Sequence, residues 1–113
     1  MKVAVIGSRN LEVKDLEKYL PPETSEIVSG GAKGVDTSAK EYAEKHNIKF
    51  TEFLPDYKRY TQGAPLRRNM DIINYADMVL AFWDGESKGT KSVIDACGKA
   101  KIPIKVIPAE DLH

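Results

Sequence analysis

The sequence predicts an α/β domain on a parallel sheet, and three observations carry that prediction. Short apolar, β-branched runs recur along the chain, each ended by a loop containing glycine or proline. Segments whose apolar positions follow helical spacing separate these runs. The alternation continues from end to end without a repeat, linker or low-complexity stretch. Such a pattern specifies right-handed βαβ units with helices on both faces of one sheet, a Rossmann-like three-layer sandwich of about five strands.

The elements follow in order. Val3 to Ile6 is a buried strand halted by Gly7-Ser8-Arg9-Asn10, and Leu11 to Leu20 is expected to be a modest helix stopped by Pro21-Pro22. Glu26 to Ser29 is the second strand, ending at Gly30-Gly31. From Lys33 to His46, Val35, Ala39, Tyr42-Ala43 and His46 recur at helical spacing. Ile48 to Phe53 is the third strand, closed by Leu54-Pro55. A polar stretch from Asp56 to Pro65 leads into a helix marked by Leu66, Met70 and Ile73. Met78 to Trp83 is the fourth strand, Asp84 to Thr90 a loop, Ser92 to Lys101 a helix and Pro103 to Ile107 the last strand. The tail from Pro108 to His113 reads as frayed.

At 113 residues the chain has room for one domain, spanning 1–113. Its 42% hydrophobic and 30% charged residues make an ordinary globular balance and exclude a disordered chain. Lys plus Arg and Asp plus Glu number 17 each, so there is no basic excess of the kind that phosphate-backbone binding uses. Cys97 is the single cysteine, which rules out an intrachain disulfide and suits a reducing compartment. It falls in the helical pattern Val93, Ile94, Cys97, Ala100, as a buried small hydrophobe would. The first residues run straight into a strand, too short for a signal peptide or membrane span, so a cytoplasmic location and no membrane partner are expected.

In an open parallel sheet, ligands bind beyond the carboxyl ends of the strands where the strand order reverses. With an order of 3-2-1-4-5 that point lies between the first and fourth strands. The loops Gly7-Ser8-Arg9-Asn10 and Asp84 to Thr90 then face each other, with Ser29-Gly30-Gly31 alongside. Glycines let backbone approach a phosphate, and a following helix offers unpaired N–H groups and the positive end of its dipole. Ser87, Lys88, Gly89 and Thr90 open one helix in this manner, and Ser29-Gly30-Gly31-Ala32-Lys33-Gly34 another. The same residue types also serve as N-caps and tight turns; three such loops at one edge shift the balance toward a site. Asp36 either complements its helix dipole or bonds ribose hydroxyls, and Asp84 has the same two readings. Arg68, opening a helix with Asn69 after Pro65, is suited to clamp a phosphate through its planar fork. Tyr57, Tyr60 and Trp83 are candidates for stacking on a base.

Several chemistries are excluded. Neither GxGxxG nor GxxxxGK[ST] is present, which removes standard dinucleotide and P-loop sites. One cysteine with His46 and His113 cannot build a typical zinc site, so no metal and no cofactor are expected.

Taken together, Val5-Ile6-Gly7-Ser8-Arg9, the run Val28 to Asp36, Arg68-Asn69 before Ala76-Asp77, Leu80 to Gly85 and Ser87 to Thr90 resemble the SLOG superfamily. That superfamily is named for the DNA-processing protein DprA and the Lonely Guy cytokinin-activating enzymes. The resemblance spans Lys2 to Ile107 and is nearest to small single-domain bacterial and phage members. It implies a Rossmann-like fold that binds nucleotides or nucleotide-derived ligands, often as a homodimer. Gly30, Gly31, Gly34 and Asp36 match the first glycine-rich motif, and Gly89-Thr90 the second. Arg68 falls where the Lonely Guy phosphoribohydrolases carry a catalytic arginine. Those hydrolases also carry PGGxGTxxE. Here the glutamate position is Val93, and Glu86-Ser87 replace the paired glycines. Asp95, two residues on, points to another side of its helix.

The leading expectation is therefore a sensor or regulatory domain. It would hold a nucleotide-derived small molecule through Gly7, Ser8, Arg9, Ser29, Gly30, Gly31, Gly34, Asp36, Arg68, Asn69, Asp84, Ser87, Lys88, Gly89 and Thr90. The alternative is a phosphoribohydrolase-like enzyme cleaving N-glycosidic bonds in nucleotides, with Arg68, Asp84 and Asp95 as catalytic candidates. The resemblance to DprA raises a third, single-stranded DNA binding, against which the neutral charge argues.

Overall fold

The computed structural model describes residues 1–30, 34–59 and 63–112. Its strands are β1 (Lys2–Gly7), β2 (Glu26–Ser29), β3 (Lys49–Glu52), β4 (Met78–Trp83) and β5 (Ile104–Pro108). They form one sheet in the order β3-β2-β1-β4-β5, with all four pairings parallel. This is the order expected from the sequence. Helices α1 (Val35–Lys45), α2 (Ala64–Tyr75) and α3 (Lys88–Ala100) connect the strands.

The two central strands show why apolar runs mark this architecture. Side chains alternate between sheet faces with period two, so a strand covered on both faces is apolar throughout. Val3, Val5, Leu80 and Phe82 pack with Val35, Ala39 and Ala43 of α1 on one face. Ala4, Ile6, Val79 and Ala81 pack on the other with Ile72 and Ile73 of α2 and with Val93 and Cys97 of α3. Cys97 is fully buried, and burial pushes its thiol pKa up, as suits an inert packing residue. Among the described residues no helix is long and apolar enough to cross a membrane.

Three expectations are corrected. The stretch from Leu11 to Leu20 contains only a single 3-10 turn, Leu16–Lys18. Leu11 and Val13 both pack toward the core, and a spacing of two is incompatible with one helical face. At the start of this stretch backbone N–H groups are satisfied from outside, Leu11 by the Ser8 carbonyl at 3.2 Å and Val13 by Ser38 Oγ at 3.1 Å. At the other end, residues 109–111 form a 3-10 turn and Leu112 packs against the α1-side core, so this part of the tail is not frayed. Finally, α3 begins at Lys88 and not Ser92, because Ser87 acts as its N-cap.

The end of the sheet opposite the switch point carries a polar cluster. Glu26, 7% exposed, accepts hydrogen bonds at Oε2 from Thr51 Oγ1 and Tyr75 Oη, both at 2.6 Å, while Lys49 Nζ lies 3.6 Å from Oε1. The Lys2 ammonium sits 4.1 Å from the centre of the Tyr75 ring. Burial raises the carboxyl pKa of Glu26, but the two hydroxyl donors and Lys49 outweigh it and the net shift is downward. A depressed folded-state pKa contributes stability above the unfolded pKa, and that stability is lost as pH falls through the folded value. Glu26→Gln is therefore expected to cost about 1–2 kcal/mol at neutral pH. The gap from the parent should narrow below about pH 4, where an ordinary glutamate protonates. Urea titrations at pH 7 and pH 3.5 measure this, and an equal gap at both would refute it.

Candidate functional site

Order reverses between β1 and β4, and the loops leaving them are fastened together. The Ser8 N–H donates to the Phe82 carbonyl at 3.0 Å, and Ser8 Oγ accepts the Asp84 N–H at 3.2 Å. Gly7 permits this close approach. A Cβ there would lie 2.5 Å from Val35 Cγ2 and 2.7 Å from the Phe82 carbonyl oxygen.

Beside this seam lies a cleft of about 170 Å³, lined by Ile6, Gly7, Arg9, Gly30, Asp36, Pro65, Arg68, Asn69, Ile72, Ser87, Gly89, Thr90 and Val93. Wider hollows of about 570 and 670 Å³ lie along α1 and along the outer side of α2 and α3. The smaller cleft is the chemically organised one, because the N-terminal turns of all three helices open onto it. Neither α2 nor α3 has an acidic residue in its first turn. The usual carboxylate complement to the helix dipole is thus missing, leaving both positive ends to an anion.

Arg68 occupies the middle of this arrangement. Its Nη1 donates to the Gly30 carbonyl at 2.6 Å and its Nε to Asn69 Oδ1 at 2.8 Å, which fixes the plane of the guanidinium. Asn69 is itself buried. Partial burial lowers the pKa of Arg68 while the charge of Asp36 raises it, and the residue remains a cation at any working pH. Gly30 is required by this contact, since a Cβ at that position would lie 2.6 Å from Nη1.

The β4–α3 loop forms the opposite wall. Asp84 Oδ1 accepts the N–H groups of Glu86 at 2.9 Å and Ser87 at 2.7 Å, and these bonds, Ser87 first, pull its pKa down. The Trp83 indole N–H donates to the Ser87 carbonyl at 3.0 Å. Ser87 Oγ in turn accepts the Thr90 N–H at 3.5 Å and lies 3.3 Å from Thr90 Oγ1. The loop is thereby rigid and holds Ser87, Gly89 and Thr90 at the cleft.

Of the residues singled out in the sequence, Gly7, Arg9, Gly30, Asp36, Arg68, Asn69, Ser87, Gly89 and Thr90 line one cleft. Ser8, Ser29, Gly34, Asp84 and Lys88 lie around it without lining it. Ser8 and Asp84 bond to the surrounding loops, and Ser29 is fully buried at the end of β2. Gly31 and Tyr60 fall outside the described residues. Asp95 is on the outer side of α3, exposed and 3.4 Å from Lys91 Nζ. Ile6, Pro65, Ile72 and Val93 complete the lining; Pro65, just inside the start of α2, and Val93, at the hydrolases' glutamate position, carry a signal in the sequence, and Ile6 and Ile72 do not. Among the described residues no group of acidic, histidine or cysteine side chains could hold a metal ion.

The chain is 31% identical over 94 residues to the Gene 61 protein of Mycobacterium phage D29, covering 78% of this chain and 75% of that one. No solved structure gives a significant match. Residues 1–60, which contain β1, Gly30 and Asp36, match the family model described as YAcAr, the YspA, cpYpsA-related SLOG family. With more than half its length matched, the chain belongs to that family.

Proposed function

We propose that the 1–113 chain is a single binding domain for a nucleotide-derived small molecule, held through phosphate and ribose at the β1–β4 switch point. The observation that carries this reading is Arg68, fixed by Gly30 and Asn69 in a cleft where two helix N-termini lack acidic residues. Arg9 adds a second cation, and Asp36 supplies a buried carboxylate for sugar hydroxyls. Binding without turnover is favoured. Cleavage at a ribosyl centre needs a carboxylate to stabilise the oxocarbenium-like carbon or activate water. Val93 lies at the cleft where the related hydrolases carry their glutamate, while Asp84 and Asp95 do not line it.

A thermal-shift panel of nucleoside mono- and diphosphates, ADP-ribose and cyclic nucleotides tests the proposal. A ligand at a hundred times its Kd stabilises by about 2.7 kcal/mol, which raises Tm by roughly 10 °C in a domain of this size. Arg68→Ala is expected to remove the shift. A panel without any shift would overturn the proposal, and free base released from nucleoside monophosphates would favour the hydrolase alternative.

A further inference from the structure

The cleft, at about 170 Å³, falls below the roughly 300–1,000 Å³ of sites that enclose a drug-sized ligand. A phosphate and part of a sugar fit that space, and the rest of a nucleotide must lie over a neighbouring loop. Directly after β3, the N–H of Phe53 donates to the Ser29 carbonyl at 2.9 Å. This ties the root of the 54–59 loop to the residue preceding Gly30, the anchor of Arg68. Asp56 Oδ1 accepts the Arg59 N–H at 3.1 Å and closes a turn around Tyr57. Within this fixed loop Leu54 is 62% and Tyr57 61% exposed. Among the described residues, Tyr57 is the only exposed Phe, Trp or Tyr. Trp83, by contrast, is half-buried and held to the Ser87 carbonyl. An aromatic ring kept in solvent by a capped turn, on a loop whose root is bonded to the residue before Gly30, is suited to serve as a stacking platform.

Resting on the proposed phosphate cleft, we infer that Tyr57 is the platform on which the heterocyclic base of the ligand stacks, so that the ligand is a nucleotide and not a sugar phosphate alone.

Calorimetric Kd values for ribose 5-phosphate and for the adenosine, guanosine, cytidine and uridine 5′-monophosphates separate the two contributions. At least one nucleotide should bind the parent about tenfold or more tighter than ribose 5-phosphate. Tyr57→Ala should erase most of that advantage and leave ribose 5-phosphate binding unchanged, and Tyr57→Trp should restore it with quenched indole fluorescence. Arg68→Ala should weaken both ligand types alike. If Tyr57→Ala changes neither Kd, or both equally, while Arg68→Ala still weakens binding, the platform is refuted and the cleft stands. If neither ligand type binds the parent, the cleft reading fails and the platform with it.

Discussion

Gly34→Ala is expected to lower stability by about 3–5 kcal/mol, most of the margin of a small domain, and Tm by roughly 15 °C. Gly34 precedes α1 with φ +77° and ψ −116°, close to the first central position of a type II′ turn, where a side chain is strained. Its missing Cβ would also lie 2.4 Å from the Arg9 carbonyl oxygen and 2.8 Å from that of Leu11. Strain accounts for roughly 1–3 kcal/mol and overlap with backbone for a similar amount. Gly85 separates the two, because it shares a positive φ, +84°, but its added Cβ would meet open space. Gly85→Ala should therefore cost only the strain. Denaturant midpoints for the pair decide the matter, and equal losses at both positions would show that crowding at Gly34 contributes nothing.

Gly30→Ala is expected to leave the fold intact and weaken nucleotide binding on the order of a hundredfold. The atom displaced by the new methyl is the far end of the Arg68 side chain, which can swing away at little cost to stability. Once it does, the guanidinium no longer points where the phosphate of the proposed ligand would lie, and a charge-assisted hydrogen bond worth about 1.5–3 kcal/mol would be lost. Because the effect runs through Arg68, Gly30→Ala should add nothing in an Arg68→Ala background. Additive losses in this cycle would mean that Gly30 contacts the ligand itself.

The sheet was legible because β1 and β4 are covered on both faces and so read as unbroken apolar runs. Their place in the order of elements located the reversal of strand order and hence the cleft. Arg68 and Asn69 were visible as polar residues opening a helix behind Pro65. The strap from Leu11 to Leu20 was not, because its apolar positions at 11, 13, 16 and 20 serve a surface met obliquely and follow neither period. Ser8 and Asp84 have the chemistry of ligand-binding groups, but the Ser8 hydroxyl joins two loops by accepting the Asp84 N–H, and the Asp84 carboxylate braces its own loop. The floor was hidden for the opposite reason, since Ile6 and Ile72 are indistinguishable in sequence from the core they continue, and Val93 is marked only by its place in the glycine-rich motif.

The seam joined by Ser8 and Asp84 spans 76 positions in the chain. One wall of the cleft comes from residues 6–36 and the other from residues 65–93. Neither segment forms the cleft alone, so the cleft exists only after β1 has closed on β4. That closure is entropically costly in a chain with such distant pairings. A ligand of the proposed kind, gripping both walls, would act as a clasp on this closure. Such a ligand would slow unfolding more than it changes the folding rate, and would lengthen the lifetime of the folded chain against proteolysis wherever degradation proceeds through the opened seam.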